Sequence, residues 1–260
     1  MIAAVVLGAA GTFGNSIGQS IFNDVTGPKG PPVIIESAQY QEVFGLGNNF
    51  AFPQQLSPAQ AASFDSGQED YPSYMDRIAA EGGAQVSAAA VEMVLRGNAK
   101  QTVVISNIQI DSHCTAPPSG TLLYSPSAGS PPNIKIGFNL DAQSPIAQNA
   151  NITQLYGSYF TDHTISLQPG ETQTLVIYAL TRLRYCTFSY RLVIDTSNGQ
   201  IIEPVTNMGK PFEVAGLLLV PHDSGPGIFA RYRALYVGGV APGSSANGGF
   251  VSANPKTFLG

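Results

Sequence analysis

Tryptophan is absent from this 260-residue sequence, histidine occurs three times, cysteine twice, and Asp, Glu, Lys and Arg together make up only 11% of it. Charge is roughly 25% in ordinary soluble domains, so the exterior has to be built from Ser, Thr, Asn, Gln and Gly. The little charge present leans acidic: 12 Lys and Arg against 17 Asp and Glu give a formal net charge of -5. Phosphate recognition needs a basic stripe, and these scattered cations supply none, which excludes nucleic acid and disfavours anionic lipid headgroups. His113, His163 and His222 offer no ligand pair with the spacing of a zinc or copper motif. No Gly-x-Ser-x-Gly elbow or comparable nucleophile frame occurs, and nothing implies a cofactor.

What is plentiful is glycine, at 28 residues, and proline, at 19, within a chain that is 43% hydrophobic. That combination predicts many short strands joined by turns and a core of useful size. The length fits one main β domain with appendages.

Met1 to Asn23 carries no charged side chain, and Ile2 to Ala10 is wholly apolar. As a helix rising about 1.5 Å per residue, such a segment reaches across a hydrocarbon core, so residues 1–23 read as a transmembrane or signal-anchor helix. A cleaved export signal ending near Gly8-Ala9-Ala10 and a helix buried in a soluble protein are the alternatives. Gly8, Gly11, Gly14 and Gly18 form a small-residue face on which two copies could associate as a homo-oligomer. Residues 24–32, with Gly27-Pro28-Lys29-Gly30-Pro31-Pro32, read as a stiff linker.

Residues 33–220 read as a β-sandwich domain. A first strand begins at Val33, a second lies within Val43 to Phe52, and Ser57-Pro58 and Pro72 to Glu81 start two short helices, the second stopped by Gly82-Gly83. From Ala84 the period becomes two. Val86 to Gly97 and Gln101 to Asp111 are expected to pair as antiparallel neighbours about Gly97-Asn98-Ala99-Lys100. A turn is expected at Gln168-Pro169-Gly170-Glu171, and a hairpin about Thr196-Ser197-Asn198-Gly199. Seven or more such strands predict a mainly β fold, a two-sheet antiparallel β-sandwich of immunoglobulin-like architecture. Residues 221–260 form a Gly/Pro-rich, partly ordered C-terminal arm.

The uncharged N-terminal helix, the Pro-rich spacer, the short helices ending in Gly82-Gly83 and the two alternating strands after them resemble uncharacterised actinobacterial membrane-anchored proteins with an extracytoplasmic β-sandwich domain. Gly120-Thr121-Leu122, Gly137-Phe138-Asn139-Leu140-Asp141 and Leu167-Gln168-Pro169-Gly170-Glu171 carry the same likeness. It implies a single-pass topology with the main domain outside the cell, and no chemistry. A true immunoglobulin domain sets a tryptophan against its inter-sheet disulfide; with none here, that relation is architectural.

Cys114 and Cys186 are expected to form one disulfide in an exported chain, the alternative being two separate buried thiols. Asp111, Asp141 and Asp195 would serve glycoside hydrolysis only if two met in a cleft; capping turns is the commoner use. Asn151-Ile152-Thr153 matches a glycosylation sequon. Among the tyrosines, Tyr156 and Tyr159 lie between strands and are the candidates for facing a ligand, against an ordinary packing role. The expectation is a non-catalytic extracytoplasmic interaction or structural module tethered to the membrane, with a protein or polysaccharide partner. A secreted carbohydrate-active protein, binding module or hydrolase, is one alternative; a subunit of a cell-envelope assembly is another.

Overall fold

The computed structural model describes residues 30–42, 48–65, 69–125, 136–150, 154–220, 227–238 and 249–258. The expected N-terminal helix, its glycine face, most of the linker, Asn151-Ile152-Thr153 and His222 lie outside the described residues. Among the described residues no helix is long and apolar enough to cross a membrane.

The chain is mainly β, with three short helices among the described residues. Helix α1, Pro58–Ala62, starts where the sequence placed it: Ser57 caps it, its hydroxyl accepting the Gln60 N–H while the Gln60 side chain accepts the Ser57 N–H. This reciprocal box satisfies two donors that the first turn leaves open. Helix α2, Tyr71–Ala80, is capped by Asp70, whose carboxylate accepts the Ser73 N–H at 3.0 Å. It ends in a Schellman turn, with Gly82 at φ +72°, the Gly82 N–H donating to Ala79 and the Gly83 N–H to Ile78. Both helices press side chains into the core, among them Ala61, Tyr74, Met75 and Ile78.

Among the described residues the strands form three sheets rather than two. The first has the order β1 (Val33–Gln41), β4 (Ala88–Gly97), β11 (Thr172–Leu180), β7 (Ile136–Asn139), β8 (Gln148–Ala150), β9 (Leu155–Tyr156). The second runs β10 (Ile165–Leu167), β5 (Val103–Thr115), β12 (Tyr185–Thr196), β13 (Gly199–Val205), with β14 (Phe212–Ala215) also on β12. The third is β16 (Val251–Ala253), β15 (Ala234–Val237), β6 (Thr121–Tyr124), β2 (Phe50–Phe52), β3 (Ala84–Gln85). Two pairings, β11 with β7 and β15 with β6, are parallel, so the all-antiparallel expectation does not hold. Part of the C-terminal arm thus supplies two strands of the third sheet.

The expected pairing of Val86 to Gly97 with Gln101 to Asp111 is also corrected. Strand β4 is flanked by β1 and β11, while β5 lies in the other sheet between β10 and β12. Residues 98–102 carry the chain from one sheet to the next. The pairings that won are longer: nine registered pairs for β11 with β4 and eleven for β12 with β5. Alternation of apolar residues is the same whether two strands lie side by side or face each other, so the pattern alone cannot separate these outcomes.

The turn at Pro169-Gly170 forms as expected, with Gly170 at φ +78° and the Glu171 N–H donating to Gln168 at 3.0 Å, and it too crosses between sheets. It docks on the β4 end, where the Gly97 N–H donates to the Glu171 carbonyl and the Gly170 N–H to the Gly97 carbonyl. The expected β12–β13 hairpin is present about Ser197-Asn198.

One hydrophobic cluster draws on all three sheets. The first and second sheets meet through Tyr40 on Phe212, ring centroids 5.3 Å apart, and Phe138 on Tyr190, 5.6 Å apart. A smaller cluster, including Leu122, Phe229, Tyr232 and Leu235, fills the other face of the third sheet.

Candidate functional site

The tyrosines singled out in the sequence stand at the β9 edge of the first sheet. Strand β9 pairs through Asn149 with Tyr156, whose side chain is half exposed. Gly157, at φ +53°, then turns the chain into the four-residue helix α3, Tyr159–Asp162, tied back by the Tyr159 N–H donating to the Ala147 carbonyl at 2.9 Å. Tyr159 stacks on His163, centroids 4.6 Å apart and 17° between planes, and meets Phe160 edge-on. The His163 Nδ1 lies 3.0 Å from the Tyr159 carbonyl oxygen. Tyr159 and Phe160 pack partly against the main core, so Tyr159 serves packing, and of the two tyrosines only Tyr156 is exposed. A sugar platform needs coplanar exposed rings, and these two tyrosines are not in ring contact.

The three carboxylates are held in separate places. Asp111 lies on β5 and pairs with Arg191 across the sheet at 2.9 Å. Asp195 lies on β12 opposite Val104, seven residues from Asp111 along β5, roughly 20 Å at the rise of a strand. Its side chain accepts from Gln200 at 2.9 Å, and that bond holds its carboxyl below the usual range. Asp141, mostly buried, accepts from the Thr181 hydroxyl at 2.8 Å and the Arg182 N–H at 2.7 Å, with Arg184 Nε at 3.6 Å. Hydrolysis by a carboxylate pair requires separations of about 5 to 10 Å, which Asp111 and Asp195 do not meet. Among the described residues, no group of three or more His, Cys, Asp and Glu is placed to hold a metal ion.

Cys114 and Cys186 are bonded to each other, S–S 2.08 Å. They are direct partners on β5 and β12, so the bridge staples neighbouring strands of one sheet rather than two facing sheets. Cys186 is fully buried and Cys114 half-buried, both against the core.

Sequence reasoning missed three exposed features. Leu183, 71% exposed, stands between Arg182 and Arg184 on the crossing from β11 to β12. That crossing is locked by the Asp141 bonds, by an Arg184 guanidinium bond to the Leu140 carbonyl at 2.5 Å, and by the Gly216 N–H donating to the Arg184 carbonyl at 2.6 Å. Met208, 81% exposed, tips the turn between β13 and β14. An open pocket of about 350 Å³ lies where Gly30 and Pro32, residues 98–103 and the β12–β13 turn converge, with Asn98, Gln101, Thr102, Ser197 and Asn198 in its wall. The turn-forming composition of these segments was visible, but turn residues do not announce which loops share an end of the fold.

Comparison of the chain with protein-family models, curated proteins and solved structures returns no match.

Proposed function

We propose that this chain is a non-catalytic interaction or structural module that works outside a membrane, tethered through its N-terminal segment. The observation that carries the reading is the Cys114–Cys186 disulfide, which joins the only two cysteines of the chain. Such bonds persist in oxidising spaces and are scarce where thiol reductants are abundant. The sparse charge and turn-rich composition agree with that setting. In this reading the first and second sheets are the facing layers of an immunoglobulin-like sandwich, with the third sheet and the two capped helices closing one end. The partner, a protein or an envelope polysaccharide, meets the loops between strands, where the backbone of the Arg182-Leu183-Arg184 crossing is already tied down by hydrogen bonds. A contact ordered before binding loses little further freedom on association.

The test uses intact source cells. They are treated with a membrane-impermeant amine label and with added protease, then lysed in an alkylating agent and fractionated. The expected outcome is labelling of Lys100, Lys210 and Lys256, proteolytic loss of the body, recovery of untreated chain in the membrane fraction, and no alkylation at Cys114 or Cys186. A protected chain in the soluble cytosol with both cysteines alkylated overturns the reading.

A further inference from the structure

Met208 occupies a backbone position that does not suit it. The Asn207 N–H donates to the Lys210 carbonyl at 2.8 Å and the Lys210 N–H returns to Asn207 at 2.9 Å, closing a two-residue turn over Met208-Gly209. Both central residues have positive φ, 49° for Met208 and 84° for Gly209. This is the type I′ arrangement, whose first central position favours Asn, Asp or Gly, because an L side chain crowds the carbonyl in the left-handed region. The Gly209 N–H donates to the Thr206 hydroxyl at 3.0 Å, which fixes the tip further.

The side chain placed there at a conformational cost is 81% exposed, the highest value of the large hydrophobic residues described. The other two described methionines are opposite in kind: Met75 is 2% exposed on α2 and Met93 fully buried on β4. A residue held against its backbone preference with its side chain in solvent points to a use for that side chain.

We propose that Met208 is a site of reversible oxidative modification by two-electron oxidants of the peroxide class. The thioether sulfur attacks one peroxide oxygen. The S–O bond forms as the O–O bond breaks; sulfur is oxidised to the sulfoxide, and the departing hydroxide takes up the remaining proton and leaves as water. The product replaces the most exposed large apolar side chain among the described residues with a strongly polar, chiral one. The turn needs no rearrangement to admit the oxidant, because the sulfur's side chain already stands in solvent. Met75 and Met93 react only when their packing opens, so modification in the native state is selective by burial.

The full chain is exposed to hydrogen peroxide under native conditions, quenched at intervals and mapped by peptide mass. Met208 is expected to gain one oxygen at a rate close to that of a short unstructured methionine peptide, with Met75 and Met93 at least about tenfold slower. Unfolding in guanidinium is expected to bring all three to one rate, and a mixture of the two methionine sulfoxide reductases, supplied with a dithiol that gives two electrons and ends as a disulfide while the oxygen leaves as water, to return Met208 to the thioether. Met208→Leu is expected to remove the fast site and leave the slow rates at Met75 and Met93 unchanged. Oxidation of Met75 or Met93 as fast as Met208 in the native chain overturns the proposal, as does a Met208 that stays reduced or is not restored.

Discussion

Tyr190 sits fully buried on β12 among Phe138, Phe188 and Phe212, and its hydroxyl has no hydrogen-bond partner among the described residues. A buried polar group without a partner costs about 1 to 3 kcal/mol, whereas the ring itself fills the space between the first and second sheets. Tyr190→Phe is therefore expected to raise stability by about 1 kcal/mol, read as a higher urea midpoint at unchanged slope. Burial also governs how the tyrosines titrate. It pushes Tyr185, beside the Glu213 carboxylate, and Tyr232 up to about 12 from 10.0, drives Tyr40, Tyr71 and Tyr74 higher still, and holds Tyr190 well above its ordinary value. The folded chain thus holds these phenol protons more tightly than the unfolded chain does. The contribution of Tyr185 and Tyr232 to stability is whole below pH 10 and is lost as pH rises through about 12, and that of the others persists beyond it. In an alkaline titration, phenolate absorbance of these side chains is expected to rise in one cooperative step together with loss of the far-ultraviolet β signal. A gradual rise from pH 10 with the fold intact is the contrary result.

At the scale of elements, two helix signals were legible because their causes are local: Ser57 ahead of Pro58, and Gly82 with Gly83, act within one turn. The same holds for Pro169-Gly170 and for the β12–β13 hairpin. What β4 pairs with was not legible, because β1 and β11 come from far along the chain and reveal themselves only by length of register. Gly97 is the residue on which that arrangement turns. A Cβ there would overlap the Gln168 carbonyl oxygen and press on Leu167, so the two crossings between sheets can lie together only if the position is glycine. Gly97→Ala is expected to destabilise by about 1 to 3 kcal/mol and to raise amide exchange at Gly170 and Glu171. A variant with native stability and exchange would show that the crossings do not depend on this close approach.

Across the whole molecule, the disulfide joins positions 72 residues apart in sequence. Closing so long a loop restricts the unfolded chain, an effect worth about 4 kcal/mol in the chain-entropy model. The eleven paired positions of β5 and β12 hold the two strands together in the folded state in any case. The double substitution Cys114→Ser and Cys186→Ser is accordingly expected to lower unfolding free energy by about 2 to 4 kcal/mol while leaving the β signal of the folded chain unchanged, as measured by urea unfolding and circular dichroism. A double variant that never acquires the β signal would make the bond a requirement for the fold.

The sequence by itself determined the mainly β class, the starts of the first two helices and the stop of the second, the turns at Pro169-Gly170 and Ser197-Asn198 and the pair of cysteines, since composition, caps and turn residues act over a few neighbouring positions. Only the tertiary structure decided that the described strands form three sheets, that β4 and β5 part company, and that the cysteines staple one sheet. It also decided the fate of the candidate residues: Asp141 locks a crossing, Tyr159 joins the core, and Tyr156, Leu183 and Met208 stand in solvent. The physical reason is common to all of these. Pairing and burial depend on which distant segments meet, and an alternating apolar pattern marks a face for burial without naming what will cover it.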